Sequence, residues 1–222
     1  MSALIVDTET TGLADPVRPV EIAWLRLSGP VDLEPLESFS QRYDPDKAIE
    51  YGALATHHIT AADLVGKPLW DTFRLPKGTE YLIGHNVDFD WRVLGEPPVK
   101  RICTLALARS LWPTLDSHTQ GALLYHCAPD VAKEALRGAH AADADCWCCR
   151  RILAALIRDL GGIESWEALW KISEAARVPT VMAVGKHKGT PIAELPRDYV
   201  AWFLRQPDVD PYLRKALEGA RP

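Results

Sequence analysis

The chain has 222 residues, 47% hydrophobic and 25% charged, a balance that describes a globular protein with one sizeable core and room for a small second unit. No apolar run approaches the roughly 20 residues needed to span a membrane, and Asp7 stops the apolar start at residues 3–6, so neither a transmembrane segment nor a signal peptide is expected. Residues 1–160 carry 16 basic and 22 acidic groups (net −6) and residues 161–222 carry 9 and 8 (net +1), a balance that neither supports nor excludes a polyanionic substrate and suggests modest, local phosphate contacts rather than a broad basic face.

Residues 3–7 form a short apolar run that reads as a buried strand, and Gly12 permits a turn after it. Residues 20–27 and about 36–43 alternate as the next two strands around Gly29-Pro30, which predicts a β-meander. Residues 60–74 are expected to be short helix, with Thr60 at its start and breaks at Gly66 and Pro68. A fourth strand is predicted at 81–86, followed by a helix over 87–94. A fifth strand at 101–104 leads into a helix through Leu111 that Pro113 ends. Further helices are expected over 117–127 and 141–160, the second closed by Gly161-Gly162. The pattern is α/β: a mixed sheet with helices packed on it. Gly161-Gly162 is the predicted boundary, dividing a main domain, 1–160, from a mostly helical extension, 161–222.

The five cysteines are an odd count, which argues against a disulfide framework and for a reducing, cytoplasmic setting. Cys146, Cys148 and Cys149 fall within four residues of one helix with no second ligand pair at finger spacing, so buried thiols are expected there rather than zinc.

Chemistry-bearing residues concentrate in three segments. Asp7 and Glu9 stand two apart at the end of the first strand, where side chains two apart share a face. Alone, such a pair is most often two solvated acids at a strand end. Asp88 and Asp90 both fall in a predicted first helical turn, a position that favours an acid whatever its role. Asp143 and Asp145 open the long helix after His140. A histidine titrates near neutrality and can take a proton from a water. Carboxylates gathered at the edge of apolar runs are unfavourable unless a cation joins them, and a pair of divalent metals suits phosphodiester cleavage.

In order and local detail, D-T-E-T-T-G-L at 7–13, H-N-V-D-F-D at 85–90 and H-A-A-D-A-D at 140–145 resemble the three motifs of the DEDDh 3′→5′ exonuclease family. The motifs span most of residues 1–150. The resemblance implies a ribonuclease H-like mixed sheet flanked by helices, with Asp7, Glu9, Asp90 and Asp145 as metal ligands and His140 as general base. Asp90 is preferred to Asp88 because the family's acid follows the phenylalanine, and Asp145 to Asp143 because it stands five after the histidine. Two Mg²⁺ ions are implied, with Mn²⁺ as a substitute, acting at a DNA 3′ end, single- or double-stranded, in repair or recombination. Homodimers are common in the family, which leaves a homodimer open.

For the substrate pocket, backbone groups around Thr10 and Thr11 are candidates to hold the terminal nucleotide, with Gly12 allowing close approach. Leu13 is either a wedge against the terminal base or a core leucine, and Phe89 is open between the same alternatives. Asn86 either contacts substrate or caps the following helix, and His57 is either a pocket wall or a surface turn residue. The tail G-K-H-K-G-T-P-I-A-E-L-P-R-D-Y-V-A-W-F-L-R-Q (185–206) resembles the C-terminal extension of a DNA-degrading member of the family. That favours DNA over RNA 3′-end trimming, and a free-standing enzyme over a polymerase proofreading subunit. A catalytically silent nucleic-acid-binding protein is the reading from another class; five intact chemical positions argue against it.

Overall fold

The structure, a computed structural model, describes residues 2–182 and 184–220. Its chain divides into two compact units, Met1–Ser173 and Glu174–Pro222.

The first unit is built on a five-stranded sheet in the order β3-β2-β1-β4-β5. Strands β1 (Ser2–Thr10), β2 (Pro19–Leu27) and β3 (Pro35–Arg42) pair antiparallel as the expected meander, while β4 (Thr79–Gly84) and β5 (Lys100–Cys103) add in parallel beside β1. The central β1 is covered on both faces, so its sequence is a continuous apolar run rather than an alternation. One face carries Leu4 and Val6 into a cluster with Trp24, Leu82 and Cys103, joined by Phe39 stacked on Trp24 at 5.4 Å. The other face, that of Ile5, Asp7 and Glu9, lies toward the long helix α6 (Ala142–Asp159), whose Cys146 Sγ stands 3.5 Å from the Ala23 carbonyl on the neighbouring strand. On α6, Ala142, Cys146, Cys149, Leu153 and Leu156 are buried at three- and four-residue spacing, the stripe an amphipathic helix turns inward.

The other elements of this unit are α1 (Tyr51–His57), α2 (Asp88–Val93), α3 (Thr104–Leu111), α4 (Gln120–Cys127), α5 (Pro129–Ala135) and α7 (Trp166–Ala176), the last running across the unit boundary. Three stretches depart from the sequence expectation. Residues 60–74 hold only two 3₁₀ turns, Ala61–Leu64 and Trp70–Thr72; Thr60 and Asp63 close a capping box on the first, but Gly66 and Pro68 prevent propagation. Helices α1 and α5 have no counterpart in that expectation: each is only seven residues long, too short for a clear apolar period.

The compact unit also extends past Gly161-Gly162. Glu167 of α7 accepts hydrogen bonds from Tyr81 Oη at 3.0 Å and from Lys100 Nζ, and Ser173 Oγ accepts the Cys103 N–H at 2.8 Å. These bonds tie the first two-thirds of α7 to the β4–β5 edge, and no local composition signals such remote pairing.

The second unit has its own core of Met182, Ile192, Leu195, Val200, Leu213 and Leu217. It contains α8 (Arg197–Phe203) and α9 (Pro211–Gly219) and a bridge between Val181 and Pro191. Asp210 caps α9 by accepting the N–H groups of Tyr212 and Leu213. All five cysteines are free, and four are buried. Among the described residues no helix is long and apolar enough to cross a membrane.

Candidate active site

The three acidic segments meet at the ends of parallel strands β1 and β4, the edge of an α/β sheet where sites are usually built. Asp7 and Glu9 leave β1 on the same face, just before a register shift between Glu9 and Thr10. Asp90 lies in the first turn of α2 and is 5% exposed; its Oδ1 accepts a 2.8 Å hydrogen bond from Thr8 Oγ1. Its neighbour Asp88 turns instead to Arg101, at 2.5 Å. That division of labour between the two acids is tertiary.

Asp145 stands in the first turn of α6. Its Oδ2 accepts the His140 N–H at 3.0 Å, and its Oδ1 accepts Gln120 Nε2 at 3.0 Å, with the same amide reaching the Asp145 carbonyl at 3.2 Å. His140 is exposed and holds a left-handed backbone, φ 66°, just ahead of the helix. Ligand atoms of Glu9, His140 and Asp145 all lie within 4.8 Å of one another. Asp143, the alternative acid, is exposed.

Electrostatically this cluster is unsatisfied. Burial and the charges of Asp90, Asp145, Glu9 and Glu21 hold the Asp7 carboxyl well above the usual carboxylate range. Burial, then the charges of Asp145, Glu21 and Asp90, push Glu9 up to about 8. Burial likewise raises Asp90 and Asp145, against the opposing hydrogen bonds from Thr8 and His140. Among the described residues none of the four forms an ion pair with a lysine or arginine. Partly desolvated carboxylates that repel one another and lack cationic partners among the described residues fit divalent cations, and an all-oxygen donor set suits hard ions of the Mg²⁺ or Mn²⁺ kind.

Beside the acids opens a pocket of about 440 Å³, lined among others by Thr8, Glu9, Thr10, Gly12, Leu13, Glu50, His57 and Phe89. Leu13 is 82% exposed, which removes the core alternative for it. Phe89 is half-buried and shares the pocket wall. His57 is buried; its Nδ1 accepts the Ile59 N–H at 3.0 Å, leaving Nε2 to donate to the Thr10 carbonyl at 3.1 Å. The ring is therefore neutral and braces the pocket floor, and burial pushes its pKa down.

Three further candidate residues have defined surroundings. Thr11 is fully buried, and its N–H, carbonyl and Oγ1 are engaged by Arg18 O, Glu50 N and Arg18 N, so it has no backbone group to offer a nucleotide. Gly12, at φ 145°, does admit a close approach, but of the Glu50 carboxyl, into which a Cβ would collide. Asn86 forms no side-chain cap on α2; it occupies a left-handed turn, φ 70°, and its side chain is exposed. Sequence reasoning also missed Thr8, Gln120 and Glu21. The first two carry no local signal. Glu21 does: it is an acid inside the apolar run V-E-I-A-W, and it is 7% exposed.

The exonuclease family model of the RNase T type matches residues 4–153, and a model described as a putative quorum-sensing-regulated virulence factor matches residues 173–209. The chain is 33% identical to exodeoxyribonuclease 10 of Escherichia coli strain K12 over 222 residues, covering 96% of each protein. Among solved structures it resembles exonuclease X in complex with 5′ overhanging duplex DNA, with a TM-score of 0.62 and 32% identity over 77% of this chain and 99% of that one. A cell-death related nuclease 4, with a TM-score of 0.54 and 18% identity over 71% of this chain and 64% of that one, shares the fold.

Proposed function

The chain belongs to the RNase T-type exonuclease family and is a 3′→5′ exonuclease with a ribonuclease H-like sheet; from that premise we propose that it removes 5′-mononucleotides from the 3′ ends of DNA in repair or recombination. The observation that carries the reading is the convergence of Asp7, Glu9, Asp90 and Asp145 into one partly desolvated cluster without a basic partner among the described residues. These four would hold two divalent ions, Mg²⁺ or Mn²⁺, which when bound supply charge neutralisation at the scissile phosphate and activation of the attacking water.

The chain's own residues do the rest. His140, exposed at the rim and within reach of Glu9 and Asp145, accepts the proton of the attacking water. Thr8 fixes the rotamer of Asp90, and Gln120 that of Asp145. Leu13 and Phe89 meet the terminal base, an apolar platform that any base can use. Thr10 and His57 brace the pocket from below. The relative solved with DNA and the tail shared with exodeoxyribonuclease 10 support DNA as the substrate. In this proposal the exonuclease unit is residues 1–160, continued to Ser173 by the first part of α7, and the remaining residues are a separate extension. Free, buried cysteines support the cytoplasm as its location.

The test is digestion of 3′-recessed, blunt and single-stranded DNA and matched RNA, side by side, with Mg²⁺ and with a chelator. Mononucleotide release from DNA that stops on chelation is expected. Faster release from RNA would favour the RNA-trimming alternative, and binding without release a silent protein.

A further inference from the structure

We propose that Glu21 is a positioning residue of the nuclease site: from strand β2 its carboxylate anchors the start of α6 and so fixes the segment that carries His140 and Asp145. The inference rests on the nuclease reading above.

Helix α6 is 18 residues long and begins without a local cap, because Ala141 at the N-cap position has no side-chain acceptor. Glu21 substitutes for one. Its Oε2 accepts the Ala142 N–H at 3.0 Å in a buried hydrogen bond between residues 121 apart. An anion at that point also faces the positive end of the helix dipole. The second oxygen, Oε1, accepts Arg42 Nε at 3.3 Å from the adjacent strand β3. Both Glu21 oxygens thus have protein donors, which separates Glu21 from the four acids that have no basic partner among the described residues.

The placement is otherwise unfavourable. Glu21 stands directly opposite Glu9 in the β1–β2 register, and like charges across a strand pair repel. Its charge also contributes to the raised proton affinity of Glu9. What the arrangement secures is distance. Glu9 leaves β1 and Asp145 leaves α6, yet their ligand atoms lie within 4.8 Å. That requires the first turn of α6 to stand at one height over the sheet. Ala142, held by Glu21, is three residues before Asp145, and Asp145 in turn holds the His140 N–H. A continuous path therefore runs from β2 to the base.

The experiment uses the full chain with Mg²⁺ and 3′-recessed DNA, comparing wild type, Glu21→Ala and Glu21→Gln, together with hydrogen exchange of the metal-free proteins. Glu21→Ala is expected to lower kcat about 10–100-fold with KM within about threefold, as for loss of a group that orients a ligand. Glu21→Gln keeps an acceptor for Ala142 and is expected to recover kcat to within about fivefold of wild type, the partly exposed Arg42 turning to solvent. Amides of residues 138–147 should exchange faster in Glu21→Ala while β1 and β4 keep their protection. The proposal is overturned if Glu21→Ala keeps its kcat, if Glu21→Gln is as impaired as Glu21→Ala, or if exchange rises uniformly over the sheet. A wild-type protein that releases no nucleotide would sink the nuclease reading instead, and the exchange comparison would still decide the Ala142 anchor.

Discussion

Thr8 Oγ1 donates a 2.8 Å hydrogen bond to Asp90 Oδ1, joining the central strand to the first turn of α2 across 82 residues. The bond holds a carboxylate that is 5% exposed in one rotamer and lowers the proton affinity that burial raises. Thr8 is therefore part of the site although it bears no charge. Thr8→Val keeps the shape and removes the donor. We expect kcat to fall about tenfold and the Mg²⁺ concentration for half-maximal rate to rise, with Thr8→Ser near wild type. Equal rates for Thr8→Val and wild type across a Mg²⁺ titration would refute this role.

The acid cluster gives metal-free stability a definite pH dependence. Glu9, with a folded pKa of about 8 against 4.5 for the free side chain, keeps its proton in the folded chain over a range where the unfolded chain has released it. Asp7 and Asp145 are raised in the same direction. The stabilisation is therefore full below about pH 4 and is lost as pH rises toward 8. A tenfold difference in proton affinity between the folded and unfolded chain corresponds to about 1.4 kcal/mol at most. The metal-free melting temperature should fall between about pH 5 and pH 8, and Mg²⁺ should flatten that fall.

Asp7→Asn removes one of the repelling charges while preserving shape. It should abolish nuclease activity yet raise the metal-free melting temperature at about pH 8, because the site trades stability for function. Thermal unfolding with and without Mg²⁺ reads both effects. A variant that melts below wild type without metal would count against the repulsion.

His140 lies close enough to Glu9 and Asp145 to be either a base or a metal ligand. As a base, its replacement in His140→Asn should lower kcat about 10²–10⁴-fold while Mn²⁺ affinity stays near wild type. Mn²⁺ titration by calorimetry separates the roles: an affinity loss as large as that of Asp145→Asn would make it a ligand.

Leu13, 82% exposed at the pocket mouth, makes little contribution to the core. Leu13→Ala should leave the melting temperature within about a degree or two, as expected of a surface change. KM for a DNA 3′ end should rise about fivefold or more through lost contact with the terminal base. A KM unchanged from wild type would leave Leu13 without a role in binding.

By itself the sequence determined the elements that local pattern encodes: the apolar run of β1, the meander, and the long helix that ends at Gly161-Gly162. It also singled out the acids at strand ends and helix starts, since a carboxylate bordering an apolar run stands out wherever the chain later goes. Tertiary structure decided what those acids meet. Asp90 rather than Asp88 remains with the cluster because Arg101 draws Asp88 aside. The register that sets Glu21 opposite Glu9, the donors Thr8 and Gln120, and the engagement of every Thr11 backbone group depend on residues far apart in the chain. Periodicity reports which face of an element is buried, whereas a hydrogen bond between distant segments exists only once packing has brought donor and acceptor within about 3 Å.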